Sequence, residues 1–227
     1  MTAGKIYLVP TPIGNLKDIT LRALDILFMV KLILAEDTRV TAKLLNHYGI
    51  SKPLKSLHAH NEHQMVYEIL QTIHSGFEVA YCTDAGTPGI SDPGHLLVRE
   101  AIKLNIEIES LPGATAFVPA LVNSGLPCDR FVFEGFLPPK KGRKNKIQKI
   151  AEEEKTTIIY ESPHKILKTL DEISQYVEPQ RRICGAKELS NVHETYYRGN
   201  INEVKNQLKA SNVKGEFIIV LQAKSTK

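Results

Sequence analysis

The sequence predicts an α/β protein made of two α/β domains, the first around a mainly parallel sheet and the second around a mixed one. Three observations carry this. Short β-rich apolar runs alternate with helix-period segments from Lys5 to Leu111, the pattern of parallel strands joined by crossover helices. Several of the runs end in loops marked by glycine and proline. Beyond Pro112-Gly113 the pattern changes, and two strand-like runs (182–186 and 194–198) follow each other without a helix between them, which calls for antiparallel pairing. The expected boundary lies at 111–113, giving domains 1–112 and 113–227 with a ligand cleft between them.

The elements follow in order. Residues 6–9 form a strand. Thr20 caps a helix with Leu21, Leu24, Leu27 and Phe28 on one face. A strand at 32–35, a helix at 41–48 and a strand at 54–57 follow. Residues 62–73 are helical, with Val66, Ile69, Leu70 and Ile73 at core spacing. A strand ends at Cys82, a helix starts at His95, and a strand covers 106–111. In the second half a short helix spans 114–123 and a strand 131–133. A lysine-rich segment leads a helix to Glu153, and a strand covers 156–160. Ser162-Pro163 starts a helix with proline at its first position, on the stripe Ile166, Leu167, Leu170 and Ile173. The two unlinked strands, a helix at 204–208 and a strand at 216–222 close the chain.

Composition bounds the rest. With 227 residues, 42% of them hydrophobic, the chain can bury a sizeable core. The longest apolar run, from Ile26 to Ala35, is broken by Lys31, so no membrane span is expected. Cys82, Cys128 and Cys184 are too scattered for a disulfide framework or zinc site and read as reduced thiols of a cytoplasmic protein. A net charge of +4 permits an anionic partner without demanding one. The basic residues concentrate in Lys140, Lys141, Arg143, Lys144 and Lys146.

Three loops after strands are candidates for a ligand: PTPIGN at 10–15, TDAGTPGISDPG at 83–94 and PGATA at 112–116. Ligands of parallel sheets bind at the carboxyl ends of strands, and glycine lets backbone approach them closely. Neither the dinucleotide fingerprint nor the P-loop occurs, and the three loops hold no lysine or arginine. That suits a nucleoside ligand without phosphates. S-adenosylmethionine fits this description, though composition does not establish it. Glu36-Asp37-Thr38-Arg39 sets two carboxylates and a guanidinium at another strand end, either as chemistry or as a helix cap with an ion pair. His58 and His60 share a face if extended, but nothing nearby completes a metal site.

LVPTPIGNLKDIT, AEDTR, TDAGTPGISDPG, LPGATA, GFLP, YESPH and GEF closely resemble the bacterial small-subunit ribosomal RNA 2′-O-ribose methyltransferases of the tetrapyrrole methylase superfamily. The resemblance runs from Lys5 to about Leu221. It implies S-adenosylmethionine in a cleft between two α/β domains, commonly in a homodimer, and methylation of the ribose of a cytidine in the decoding region of 16S rRNA, with the RNA or the small ribosomal subunit as partner. By resemblance Pro10, Asp84, Gly86, Thr87, Ile90, Ala114, Thr115, Tyr160, Lys187 and Glu216 lie near the cofactor, with Ala114 and Thr115 opening a helix. Glu36 or Asp37 accepts the hydroxyl proton or orients the ribose, and Arg39 pairs with a phosphate. His60, Asn61 and Glu62 contact substrate, and the basic segment contacts RNA phosphates. No metal is required. Longer members of the family continue into a small helical C-terminal domain, which this chain, ending at Lys227, is expected to lack. A methylase acting on a tetrapyrrole, another small molecule or a protein, and a non-catalytic binder of small-subunit RNA, are the alternatives.

Overall fold

The structure, a computed structural model, describes residues 4–211 and 213–225. The chain divides into two compact units, Met1–Thr115 and Ala116–Lys227.

The first unit is an all-parallel sheet of five strands, Lys5–Leu8 (β1), Leu32–Ala35 (β2), Leu54–Ser56 (β3), Val79–Cys82 (β4) and Glu107–Ser110 (β5), in the order β3-β2-β4-β1-β5. Leu21–Met29 (α1) and Thr38–His47 (α2) pack on one face through Ala23, Leu27 and Leu45. Glu62–His74 (α3) and His95–Lys103 (α4) cover the other through Val66, Ile69, Leu70, Ile73, Leu97 and Ala101. Each of the valine, leucine and isoleucine side chains among these contributes roughly 1.5–3 kcal/mol on burial. All of β4 is buried, as its all-apolar sequence demands of a central parallel strand. The helix after β4 lies on one face, while those after its neighbours β1 and β2 lie on the other. Connections therefore diverge on both sides of β4, which opens a crevice at the carboxyl ends.

The second unit is a mixed sheet. Its strands are Phe131–Phe136 (β6), Thr156–Glu161 (β7), Arg182–Lys187 (β8), Thr195–Asn200 (β9) and Phe217–Leu221 (β10), ordered β6-β7-β10-β8-β9. Only β6 and β7 are parallel. Phe117–Ser124 (α5) packs against β8 and β10. Arg143–Glu152 (α6), Ile166–Ser174 (α7) and Ile201–Lys209 (α8) build the core with Ile159, Ile183, Phe217 and Ile219. Among the described residues no helix is long and apolar enough to cross a membrane.

Three local readings change. Thr20 caps α1 by accepting from Ala23 N–H, as expected, but Leu21 is 81% and Phe28 50% exposed. Leu27 is buried and Leu24 packs against the core as expected, and Ala23 and Val30 complete the face on the sheet in place of the two exposed residues. Helix α5 starts at Phe117, because Ala114 and Thr115 are held in a loop. Helix α7 starts at Ile166, since the Ser162 carbonyl accepts from Lys165 and Ile166 N–H in a turn that precedes it.

The start of α4 explains a residue that the sequence assigns to substrate. Gly94, the N-cap, has φ +124°, and a Cβ there would stand 2.8 Å from the Tyr81 ring. No capping side chain fits at that position. Glu62, buried at the start of α3, instead accepts from Gly94 N–H at 3.2 Å and Leu97 N–H at 3.3 Å. Its carboxylate is thus a cap lent from another helix, not a substrate contact. Glu62→Ala should cost about 1–3 kcal/mol in urea denaturation, against less than about 1 kcal/mol for Glu68→Ala, which removes only the ion pair with Lys55.

Candidate active site

The loops after β1, β4 and β5 are stitched together. Thr11 and Gly86 exchange both backbone hydrogen bonds, N–H to carbonyl at 2.9 and 3.0 Å. The buried Thr11 hydroxyl donates to Thr83 carbonyl at 3.1 Å. Gly86 has φ +84°, which a residue with a Cβ adopts only under strain. Thr87 Oγ1 donates to Ala114 carbonyl at 3.0 Å and lies 2.7 Å from Thr115 Oγ1. Pro10 packs so closely on Gly113 that a Cβ at 113 would stand 2.6 Å from the Pro10 ring. Ile90 is half-buried and closes a turn onto the Thr87 carbonyl.

The loop after β2 joins through a reciprocal pair. Glu36 Oε2 accepts from Asp84 N–H at 3.2 Å, and Asp84 Oδ1 accepts from Asp37 N–H at 3.0 Å. Asp37 is the N-cap of α2 and accepts from Arg39 N–H at 2.8 Å. It also accepts from the Arg39 guanidinium, the shortest contact being 2.6 Å. These contacts with Arg39 lower the Asp37 carboxyl to about 2. The cap with an ion pair is therefore the geometry Asp37 and Arg39 adopt here. Glu36 is different. Burial is the main cause that raises its pKa, and the Asp84 and Asp37 charges add to this, while the Asp84 N–H and His58 pull the other way. A carboxylate held partly out of water, with its pKa raised, is a better proton acceptor than a free one.

The four loops thus bring Pro10, Glu36, Asp37, Arg39, Asp84, Gly86, Thr87, Ile90, Ala114 and Thr115 together at one end of one sheet. The lining of carboxylates, hydroxyls and backbone groups suits a cationic nucleoside such as S-adenosylmethionine. Asp84 is exposed beside Glu36, and Gly86 and Gly89 both adopt positive φ, which keeps side chains out of this part of the loop. Thr11 lies within the PTPIGN loop singled out from sequence, but its backbone pairing with Gly86 joins segments far apart in the chain and leaves no local signal.

The other assigned residues belong to the second unit. Phe217 pairs with Glu161 of β7 and Lys187 of β8. That register puts Tyr160, Lys187 and Glu216 at the same end of that sheet. The Glu216 N–H donates to Glu188 Oε1 at 2.9 Å. Near the other cluster, His60 is exposed, but Asn61 serves the loop before α3. It accepts from His58 N–H at 2.8 Å and donates to Ser56 carbonyl at 3.1 Å. With Glu62 this leaves His60 as the member of its group open to a substrate.

Within the basic segment, Arg143 turns inward. It is buried, donating to Glu172 at 2.7 Å, Thr169 Oγ1 at 2.6 Å and Pro138 carbonyl at 3.3 Å, with Glu161 at 3.5 Å. Positioned at the start of α6, it braces the loop after β6 against β7 and α7. A phosphate contact by Arg143 is therefore corrected to a structural role. Lys146 pairs with Glu134. Lys140, Lys141 and Lys144 are exposed and form no ion pair among the described residues.

The sequence profile of the tetrapyrrole (corrin/porphyrin) methylases matches residues 5–205. The chain is 47% identical to the ribosomal RNA small subunit methyltransferase I of Synechocystis sp., covering 96% of this chain and 78% of that protein. It is 46% identical to the protein of the same name from Hydrogenobaculum sp., covering 98% and 97%. Among solved structures, the uroporphyrin-III C-methyltransferase of Thermus thermophilus complexed with S-adenyl homocysteine aligns with TM-score 0.67 at 18% identity, over 96% of this chain and 97% of that one. That likeness is one of fold.

The raised pKa of Glu36 gives a test by stability. A carboxyl whose folded pKa exceeds its ordinary 4.5 favours folding fully below that pH, and this contribution is lost as pH rises through the folded value. Glu36→Gln, neutral throughout and still able to accept from Asp84 N–H, should melt above the wild type at about pH 7. The advantage should shrink as the pH falls through the raised folded value and be gone below the ordinary 4.5. A difference that does not change with pH would contradict the burial argument.

Proposed function

The chain belongs to the tetrapyrrole (corrin/porphyrin) methylase family, and on that premise we propose that it methylates the 2′-hydroxyl of a cytidine ribose in the decoding region of 16S rRNA. The methyl donor is S-adenosylmethionine. The observation that carries the reading is the stitched set of four strand-end loops. It offers carboxylates and backbone groups, and no lysine or arginine within PTPIGN, TDAGTPG or PGATA. The ribosomal RNA substrate follows the name shared by the close relatives.

When bound, S-adenosylmethionine supplies an activated methyl group on sulfur. Pro10, Asp84, Gly86, Thr87, Ile90, Ala114 and Thr115 form the cradle, and Tyr160, Lys187 and Glu216, grouped at one end of the second sheet, are the further residues that the family resemblance assigns to the donor. Glu36 accepts the ribose hydroxyl proton as the new carbon–oxygen bond forms, and releases it to solvent after the methylated product leaves. Asp37 holds Arg39 at the mouth, where the exposed guanidinium suits a phosphate. Alignment of oxygen and methyl supplies much of the rate. His60 meets the substrate, and Lys140, Lys141 and Lys144 meet the RNA backbone, while Lys146 is held by Glu134. The protein works in the cytoplasm as a homodimer.

The test offers labelled donor with unmodified small ribosomal subunits, naked 16S rRNA and a tetrapyrrole precursor. Label on a ribose 2′-oxygen is expected. Label on the tetrapyrrole alone would overturn the RNA reading, and donor binding without transfer would favour the binding-only alternative. Lys140→Ala with Lys141→Ala should lower the salt slope of RNA binding by about 2. Arg143→Ala should instead destabilise the fold by about 3–5 kcal/mol, because Glu161 is left buried without its charge partner.

A further inference from the structure

We infer that the carboxyl end of β6 carries a stacking site for an unpaired RNA base, centred on Phe136 and flanked by Lys140 and Lys141. This rests on the RNA reading above and adds a kind of contact that reading does not contain. The register of β6 against β7 is Phe133 with Ile158, Gly135 with Ile159 and Phe136 with Tyr160. Glu134 is therefore an extra residue, a bulge that re-aims the strand after it. In an unbulged ladder Phe136 would stand opposite Glu161, on the same face as Ile159. With it, Phe131, Phe133 and Phe136 all stand on one face.

That face holds a continuous row of five rings. Phe131 and Phe117 have centroids 6.0 Å apart, Phe117 and Phe133 4.8 Å, Phe133 and Tyr160 5.0 Å, and Tyr160 and Phe136 5.5 Å. The two ends are open. Phe136 is 61% exposed and Phe131 41%. A large exposed ring anchored at its base by another ring is a rigid apolar platform, and such patches mark binding surfaces.

Charge chooses the occupant. From Leu137 to Ile147 there is no acidic residue, and Lys140, Lys141 and Lys144 remain exposed without ion pairs among the described residues. The parallel neighbour β7 leads into His164 and Lys165, both exposed, at the same end. Rings beside unneutralised cations are the recognition chemistry of single-stranded nucleic acid, in which bases stack on aromatics and cations track the phosphates. A protein helix would use the apolar ring but leave the lysines unanswered. Arg143 is a positioning residue here, since its bonds to Pro138, Glu161 and Thr169 fix the loops that carry both parts.

The test measures binding of a short single-stranded oligoribonucleotide and of its duplex to full-length protein, with donor affinity and melting temperature in parallel. Wild type should prefer the single strand. Phe136→Leu, which keeps an apolar side chain, should weaken single-strand binding about five-fold or more and leave the salt slope, donor affinity and melting temperature unchanged. Phe136→Trp should restore binding. Wild-type single-strand affinity in Phe136→Leu would overturn the inference while leaving the RNA reading standing. Loss of donor affinity together with RNA affinity would also overturn it, by assigning the ring to the cofactor. Absence of salt-dependent RNA binding in the wild type would overturn both.

Discussion

The paired hydrogen bonds between Thr11 and Gly86 hold the mouth of the first sheet, because at the ends of parallel strands the backbone loses its ladder partners and must find others. Here it finds them across loops. The loop after β1 pairs with the loop after β4, which holds the loop after β5 through Thr87 and the loop after β2 through Asp84. The central loop can serve all three because β4 sits between β2 and β1 and its own helix leaves on the opposite face. A glycine at 86 follows from this. The left-handed backbone turns the carbonyl and N–H back to Thr11, and a side chain there would strain the turn.

The same constraint sorts the charged groups into distinct roles. Asp37 is spent on capping α2 and holding Arg39, so its carboxyl ionises easily. Glu36, one residue earlier, is drawn down toward Asp84 and partly desolvated, so its carboxyl resists ionisation. Two adjacent carboxylates thus have pKa values pushed in opposite directions, a pattern that separates a fixed anion from a proton acceptor. In the second unit Arg143 plays the comparable bracing part, with its donors committed to Glu161, Thr169, Glu172 and Pro138.

Much of this was legible in the sequence, for physical reasons. The strand runs and the α3 stripe of Val66, Ile69, Leu70 and Ile73 are periodic, and burial follows period. The mixed second sheet followed from two strands without a helix between them. The loops TDAGTPGISDPG and AEDTR announced themselves by glycine, proline and charge density. What was not legible depends on pairing across the chain. Glu62 and Asn61 look like polar loop residues until Gly94 and His58 are seen to need acceptors. Arg143 looks like one more cation until its buried carboxylate neighbours appear. The exposure of Phe136 depends on one extra residue in a strand register, and no local pattern in FVFEGF reveals it.

In the proposed site the methyl donor lies at the stitched loops, with Asp84 facing its positive charge. The most direct measurement is calorimetric titration of S-adenosylmethionine into Asp84→Asn. Asparagine keeps the shape and can still accept from Asp37 N–H, so the loops and the melting temperature should be preserved. Donor affinity should fall about ten-fold, as expected for loss of a charge-assisted contact. Unchanged affinity in a protein that melts like the wild type would contradict the assignment and move the donor away from these loops.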